Sequence, residues 1–222
     1  MQSSSGLGPA APWPRPRGLL LDAMGTLIEL RQSVGSTYAA VALEHGITVD
    51  AGAIDVAFAE IYRQAPPLCF GALAGSELLE AEQRWWGQRI GETFAAVGAP
   101  QPDWPLQLAL FERFGQSDLW QIYPDVAAQL QHWHASGLKL AVVSNFDRRL
   151  HSLLAQLDLA ELFDAVVVSS EAGAAKPDPR PFALALEALG LAASETWHVG
   201  DSPADLDGAR AAGIRCVLIE RL

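Results

Sequence analysis

The chain has 222 residues, of which half are hydrophobic and 18% are charged, so we expect a compact globular protein with a sizeable core. The formal net charge of −11 argues against a nucleic-acid partner, because phosphate-backbone binding depends on Lys and Arg. No run of about 18 apolar residues is present, so no membrane-spanning helix is expected.

The first 17 residues and the two cysteines suggest where the protein works. Residues 1–17 are rich in proline and lack an apolar run of signal-peptide length, so we interpret them as a flexible tail. Cys69 and Cys216 lie far apart and show no metal-ligand spacing. Reduced thiols are typical of a reducing compartment, which predicts a cytoplasmic location.

Apolar, β-branched runs alternate with helical patterns along most of the chain. Five runs are predicted as strands, at residues 18–24, 138–145, 163–170, 196–201 and 214–220. Helical patterns separate the later runs, and two of them end at Gly190 and Gly213. Strands that alternate with helices predict an α/β fold, a Rossmann-like parallel sheet flanked by helices with right-handed crossovers.

The segment between the first and second of these runs is expected to be helical throughout. Amphipathic patterns occupy residues 33–47, 50–65, 76–98 and 105–115, with no convincing strand between them. We therefore predict an inserted α-helical cap at 33–121 and an α/β core at 18–32 and 122–222. Ligands of open α/β sheets bind beyond the carboxyl ends of the strands, and the cap leaves from that edge, so it can cover the site.

Polar residues follow the predicted strands at this edge. Asp22 comes directly after three leucines, where a carboxylate can attack phosphorus or carbon or bind a metal. A carboxylate that only caps the following turn is the alternative for Asp22 alone. Ser144 and Asn145 end the second strand and are candidates to contact a substrate oxygen, although a simple Ser–Asn turn is equally compatible. Thr26 follows Gly25 in a tight turn and offers a hydroxyl and a backbone N–H to an anion.

A lysine and two further acids complete the candidate site. Lys176, one of only two lysines, precedes a helix in a loop rich in Gly and Pro, where a cation can neutralise an attacking carboxylate and the transferred group. Asp201 ends the fourth strand, and Asp205 follows one helical turn later on the same face. Together with Asp22 they form an oxygen-rich site of the kind that Mg²⁺ accepts.

These segments, taken in order, resemble the haloacid dehalogenase superfamily. The motifs "DAMGTL", "VVSNFD", "KPDPRPF" and "HVGDSPADLDGARAAG" carry the resemblance, which extends from about Gly18 onward and includes the helical cap. It implies an aspartyl nucleophile at Asp22, supporting roles for Ser144 and Lys176, and Mg²⁺ bound by Asp22, Asp201, Asp205 and the backbone carbonyl of Met24. The implied substrate is a small phosphorylated molecule, hydrolysed through an aspartyl-phosphate.

Met24 departs from the pattern of the phosphatases in that superfamily, which carry a second Asp there as general acid and base. A thioether cannot transfer protons, and losing such a group typically removes about 10²–10⁴-fold of rate. Three functions therefore remain open: a phosphatase-like hydrolase of low efficiency or restricted to activated substrates, a 2-haloacid dehalogenase, and a catalytically weak protein that binds a phosphorylated ligand or a protein. "DAMGTL" resembles the dehalogenase motif, whereas the acidic pair Asp201 and Asp205 favours the phosphatase.

Overall fold

The structure is a computed structural model that describes residues 15–221. Most of the predicted flexible tail therefore lies outside the described residues. Its last residue, Arg17, is fixed to the core: its backbone N–H donates to the Glu195 carbonyl at 2.7 Å, and its guanidinium pairs with the Glu195 carboxylate at 2.6 Å. No helix within residues 15–221 has both the length and the apolar character needed to cross a bilayer.

Strands and helices alternate through the later part of the chain, as predicted. The described strands are β1 (Gly18–Leu21), β2 (Ile28–Leu30), β3 (Trp120–Ile122), β4 (Lys139–Ser144), β5 (Ala165–Val168), β6 (Thr196–Gly200) and β7 (Arg215–Leu218). The described helices are α1 (Val34–Glu44), α2 (Ala51–Gln64), α3 (Gly75–Ala96), α4 (Trp104–Arg113), α5 (Val126–Ala135), α6 (Arg149–Gln156), α7 (Ser169–Ala172), α8 (Arg180–Leu189) and α9 (Pro203–Ala211).

Five strands form one parallel sheet in the order β5-β4-β1-β6-β7, which confirms the predicted fold class. Successive residues of β1 point to opposite faces, so Leu19 and Leu21 pack in one core cluster and Leu20 packs in the other. Because helices cover both faces, the central strand β1 and the Leu140–Val143 part of β4 are apolar without interruption. This is why continuous apolar runs identified them in the sequence.

Helices α1–α4, which we call the helical insert, leave the sheet after β1 and return before β4. They enclose a cluster of buried apolar side chains that includes Tyr38, Ile54 and Phe94. Asp50 and Asp103 cap the starts of α2 and α4 by accepting from backbone N–H groups at 2.8 and 3.0 Å. The four helices agree with the predicted patterns, and the limits of the cap at 33–121 remain a prediction.

The expectation that this region holds no strand was wrong. β2 and β3 pair antiparallel where the chain enters and leaves the helical insert, with Ile28 opposite Ile122 and Leu30 opposite Trp120. Each strand has only three residues, which is too short for an alternating pattern to stand out. The ribbon brings the two ends of the insert side by side.

Helix α3 contacts the loop that follows β4. The Trp86 indole N–H donates to Oδ2 of Asp147 at 2.6 Å, and Oε1 of Glu82 accepts from the backbone N–H of Arg148 at 3.1 Å. Glu82 and Asp147 are both fully buried. Burial raises the pKa of Glu82 above its ordinary value. The helical insert is thus held over the sheet edge by buried polar contacts.

Candidate active site

The sheet brings Asp22, Ser144 and Asp201 to one edge. Leu21, the last residue of β1, lies opposite Val142 of β4 and Val199 of β6. Asp22 follows directly, and its backbone N–H donates to the Val199 carbonyl at 2.9 Å. The strand order reverses at β1, because β4 and β5 lie on one side of it and β6 and β7 lie on the other, so Asp22 lies at the position where such sheets bind ligands.

Lys176 links the two acids that are farthest apart in the chain. Its Nζ atom lies 2.7 Å from Oδ1 of Asp22 and 2.6 Å from Oδ1 of Asp205, and all three side chains are buried. Burial alone would lower the pKa of Lys176, but the two carboxylates outweigh it and hold that pKa above its ordinary value. Lys176 is therefore a permanent ammonium ion beside the Asp22 carboxylate.

Asn145 holds the loop that carries Lys176. Its side-chain NH₂ donates to the Lys176 carbonyl at 2.9 Å, and its side-chain oxygen accepts from the Lys176 backbone N–H at 2.7 Å. Both ends of the amide are therefore engaged, so a direct substrate contact by Asn145 would require one of these bonds to break. Its substrate-binding role remains a prediction, whereas its contacts identify it as a positioning residue for Lys176.

Asp205 is fully buried, and both of its oxygens are occupied. Besides the Lys176 ammonium, Oδ1 accepts from Nε2 of His198 at 2.7 Å, while Oδ2 accepts from the Ser202 hydroxyl at 2.5 Å and the Ser202 backbone N–H at 3.2 Å. Burial alone would raise the pKa of Asp205, but His198, Lys176 and Ser202 hold it far below its usual range. Asp205 is thus an anchored anion that fixes Lys176, and its predicted direct contact with metal remains a prediction.

Sequence reasoning did not find His198 and Ser202 as parts of the site. A lone histidine in an apolar strand is typical of a core residue, and His198 is indeed fully buried and packs edge-on against Phe182, but it also bonds Asp205. Ser202 and Asp205 form a capping box at the start of α9. A Ser followed three residues later by an acid is a recognisable helix-start signal, and it would have shown that Asp205 is occupied.

Asp22, Asp201 and Asp205 form a carboxylate cluster with room for a cation. One oxygen from each lies within 4.8 Å of the other two. Asp201 is largely exposed and forms none of the ion pairs found among residues 15–221. The partial burial of its carboxylate, together with the charges of Asp22 and Asp205, raises its pKa. A divalent cation would relieve this repulsion, and hard carboxylate oxygens are the ligands that Mg²⁺ prefers, so the residues present fit the metal.

The turn after Asp22 is shaped by the same cluster. Gly25 has φ +79°, and a Cβ atom there would lie 2.2 Å from Oδ2 of Asp201. Thr26 is buried, and its hydroxyl has no hydrogen-bond partner among residues 15–221. The Met24 side chain is 48% exposed and lines the cavity above Asp22, in the place where an acid would act.

That cavity has a volume of about 950 Å³ and extends from the sheet edge into the helical insert. Its polar end includes Asp22, Ser144, Lys176 and Asp201. Most of the predicted site residues on the core thus open into one space together with side chains of the insert, whereas Thr26 and Asp205 do not line it.

Comparison with known proteins shows what the chain is similar to. The family model described as haloacid dehalogenase-like hydrolase matches residues 16–213. Haloacid dehalogenase-like hydrolase domain-containing protein 3 of Mus musculus is 39% identical over 206 residues, which cover 91% of this chain and 81% of that protein. Phosphoserine phosphatase of Thermus thermophilus is 37% identical over 150 residues, covering 64% of this chain and 59% of that protein.

Solved structures share the fold at low identity. L-2-haloacid dehalogenase from Xanthobacter autotrophicus superposes with a TM-score of 0.71 at 24% identity, covering 93% of this chain and 78% of its own. HAD phosphatase from Thermococcus onnurineus gives a TM-score of 0.60 at 24% identity, covering 92% and 86%. One architecture therefore accommodates both a dehalogenase and a phosphatase, and the distinction between them rests on the site.

Proposed function

The chain belongs to the family of haloacid dehalogenase-like hydrolases, and from that premise we propose that it is a Mg²⁺-dependent hydrolase of a small phosphorylated molecule. The observation that carries the proposal is the buried contact of Asp22 with Lys176 beside the carboxylates of Asp201 and Asp205. A dehalogenase that displaces halide from carbon needs a carboxylate nucleophile but has no use for a metal-binding acidic cluster, so the phosphatase fits this site better.

Asp22 would attack phosphorus. The Lys176 ammonium donates to its Oδ1 at 2.7 Å, which fixes the carboxylate. The Lys176 ammonium offsets negative charge on the nucleophile and on the transferred phosphoryl group. Ser144, the last residue of β4, lines the cavity, and its hydroxyl would hold a phosphoryl oxygen. The buried and unpartnered hydroxyl of Thr26 is a second candidate. These side chains bind and orient the group that is transferred to Asp22.

Mg²⁺ would be held by Asp22 and Asp201 with the Met24 backbone carbonyl, and with Asp205 behind them. When bound, it would neutralise charge on the phosphoryl oxygens. The arrangement of charges supports this placement, since three carboxylates surround one ammonium and the site carries more negative charge than Lys176 alone balances.

Met24 limits the chemistry to leaving groups that depart without a proton. It occupies the cavity above Asp22 and can neither protonate a leaving oxygen nor activate water. We therefore propose slow hydrolysis of ordinary alkyl phosphates and faster reaction with activated phosphates, of which an acyl phosphate is the simplest.

The test is release of inorganic phosphate from acetyl phosphate with and without Mg²⁺. We expect release by the wild-type protein that requires Mg²⁺ and is lost in the isosteric variant Asp22→Asn. Met24→Asp should raise the rate with an alkyl phosphate by about 10²–10⁴-fold, because it restores the proton carrier. Mass spectrometry of trapped protein should locate phosphate on Asp22.

Three results would contradict the proposal. Equal phosphate release by wild type and Asp22→Asn would exclude Asp22 as nucleophile. Chloride release from 2-chloropropionate without Mg²⁺ would identify a dehalogenase. Tight binding of a phosphorylated ligand with no turnover by wild type or by Met24→Asp would identify a binding protein.

A further inference from the structure

The cavity above Asp22 is far larger than a phosphoryl group requires. Its volume of about 950 Å³ is at the upper end of the range of about 300–1,000 Å³ that is typical of small-molecule sites. The nucleophile lies at its polar end, and the rest is enclosed by the helical insert and the sheet edge. The part of the substrate that leaves would therefore lie in the space that the insert lines.

Aromatic side chains of the helical insert form one wall of this space. Phe58 and Tyr62 of α2 stack with ring centroids 5.6 Å apart and planes 18° from parallel, and Tyr62 stacks on Trp86 of α3 at 6.0 Å and 16°. All three line the cavity. The three rings already stack on one another, and the Arg149 guanidinium lies 5.2 Å from the Trp86 ring centroid, so an added planar ring would meet mainly ring edges. Edge-to-face contacts of this kind are as typical of aromatic pairs as offset stacks are. The wall is therefore suited to a flat aromatic group.

The same region offers little to a second anionic group. Arg149 lines the cavity, but its guanidinium donates to both oxygens of Asp147 at 2.8 and 2.6 Å and lies 3.9 Å from the Phe111 ring centroid. Its charge is already balanced by a buried carboxylate. Arg31 also lines the cavity, with its Nε donating to the Trp120 carbonyl at 2.9 Å, and the carboxylates of Glu29 and Asp55 offset its charge. A substrate with one phosphate, next to Asp22, fits this distribution better than a bisphosphate or a carboxylated phosphate.

Met24 adds a chemical restriction that also favours an aromatic leaving group. Without a proton donor at that position, the leaving oxygen must depart as an anion. A phenol has a pKa of about 10, whereas water, a guide to alkyl alcohols, has a pKa of about 15.7. A phenolate therefore leaves readily where an alkoxide does not.

Resting on the proposed function, we infer that the substrate class is an aryl phosphate, a single phosphate ester of a planar phenol. The aromatic wall of Phe58, Tyr62 and Trp86 binds the ring, and the phosphate lies against Asp22 and Lys176. The ring selects the substrate, and its low leaving-group pKa makes the acid at position 24 dispensable.

The two steps balance as follows for such a substrate. An oxygen of Asp22 forms a bond to phosphorus while the bond from phosphorus to the aryl oxygen breaks, and the aryl oxygen leaves with the electron pair as phenolate, which takes a proton from solvent. Water then attacks the same phosphorus, the bond to Asp22 breaks, and inorganic phosphate is released with one proton passing to solvent. The second step also lacks a base at Met24, so the phenol should appear in a burst of about one equivalent per chain before slower turnover.

Four phosphate substrates test the contributions of the aromatic ring and of the leaving group separately. 1-Naphthyl phosphate has both a ring and a good leaving group, and benzyl phosphate has a ring with a poor one. Acetyl phosphate has a good leaving group without a ring, and glycerol 3-phosphate has neither. With Mg²⁺ present, we expect kcat/KM for 1-naphthyl phosphate to exceed that for benzyl phosphate by about 100-fold or more, and KM to be lowest for the two aromatic esters.

Three variants test the residues. Met24→Asp should reduce the preference for naphthyl over benzyl phosphate by about 10-fold or more, because benzyl phosphate gains the missing acid. Tyr62→Ala should raise KM for 1-naphthyl phosphate by about 5- to 10-fold, and by more than for acetyl phosphate. Val56→Ala, at a residue of the same helix that is 74% exposed and does not line the cavity, is the matched control and should match the wild type.

Each result separates this inference from the proposed function. Turnover of acetyl phosphate with no lower KM for the aromatic esters would overturn the inference and leave the proposed function standing. A large fall in kcat for Tyr62→Phe with KM retained would overturn the leaving-group reasoning, since the Tyr62 phenol would then be the acid. Failure of all four phosphates with both wild type and Met24→Asp would overturn both.

Discussion

Replacing Asp205 by Asn tests whether the site is organised around one buried anion. The carboxylate accepts from four donor groups: the Lys176 ammonium, the His198 ring, and the hydroxyl and backbone N–H of Ser202. An amide can supply only one accepting oxygen. If the NH₂ of the introduced amide takes the place of Oδ1, it faces two donors, the Lys176 ammonium and the His198 ring. If the NH₂ takes the place of Oδ2, it faces only the Ser202 backbone N–H as a donor, because the Ser202 hydroxyl can rotate to accept from it.

The magnitude follows from the less costly orientation. Breaking a buried charge pair by removing one partner typically costs about 3–5 kcal/mol of unfolding free energy. Lys176 keeps Asp22 at 2.7 Å, so we expect the lower end, about 3 kcal/mol. Since domains of this kind are stable by about 5–15 kcal/mol, the loss is large enough to measure.

Urea unfolding at pH 7 measures the change, with Asp207→Asn as control because Asp207 is exposed on the same helix. The pKa of Asp205 is depressed by folding, so its contribution is present above the pKa of an unfolded Asp and is lost as the pH falls below about 4. The difference between wild type and Asp205→Asn should shrink accordingly. A loss below about 1 kcal/mol at pH 7, or one equal to that of Asp207→Asn, would refute the reasoning.

Two further predictions concern the turn and the thiol. Gly25→Ala should weaken Mg²⁺ binding in calorimetry, because its Cβ would displace Asp201. Gly46→Ala is the control: with φ +76° and open space around it, it should show the backbone strain alone. Equal Mg²⁺ affinities in the two variants would contradict the prediction. Burial raises the pKa of the Cys216 thiol from 9.0 to about 11. Alkylation of Cys216 at pH 8, followed by mass spectrometry, should therefore be about 100-fold slower in the folded protein than in urea. Similar rates in the two conditions would contradict the prediction.

The sheet and the convergence of the acids were accessible from the sequence for a physical reason. Strands buried on both faces must be apolar throughout, so the leucines before Asp22 and the valines before Ser144 mark the strands directly. The carboxyl ends of parallel strands share one edge, which places Asp22 beside Asp201 without further information.

The partners of those residues were not accessible in the same way. Lys176 contacts Asp22 across 154 positions of the chain, and the contact is built by Asn145, whose amide gives no sign in the sequence of the backbone it holds. His198 bonds Asp205 from inside a strand, where a lone histidine resembles any other core residue. The aromatic wall depends on how α2 and α3 rotate against each other, and the helical period alone leaves that rotation undetermined.

The paired strands β2 and β3 mark the place where the helical insert could be exchanged as a unit. Because Leu30 and Trp120 face each other across two short strands, everything between them begins and ends at neighbouring positions. Exchanging the insert for that of a relative would therefore require only two adjacent junctions, and the new insert would also have to supply partners like Trp86 and Glu82 for the loop after β4. Such an exchange would change one wall of the cavity while Asp22 and Lys176 stay as they are.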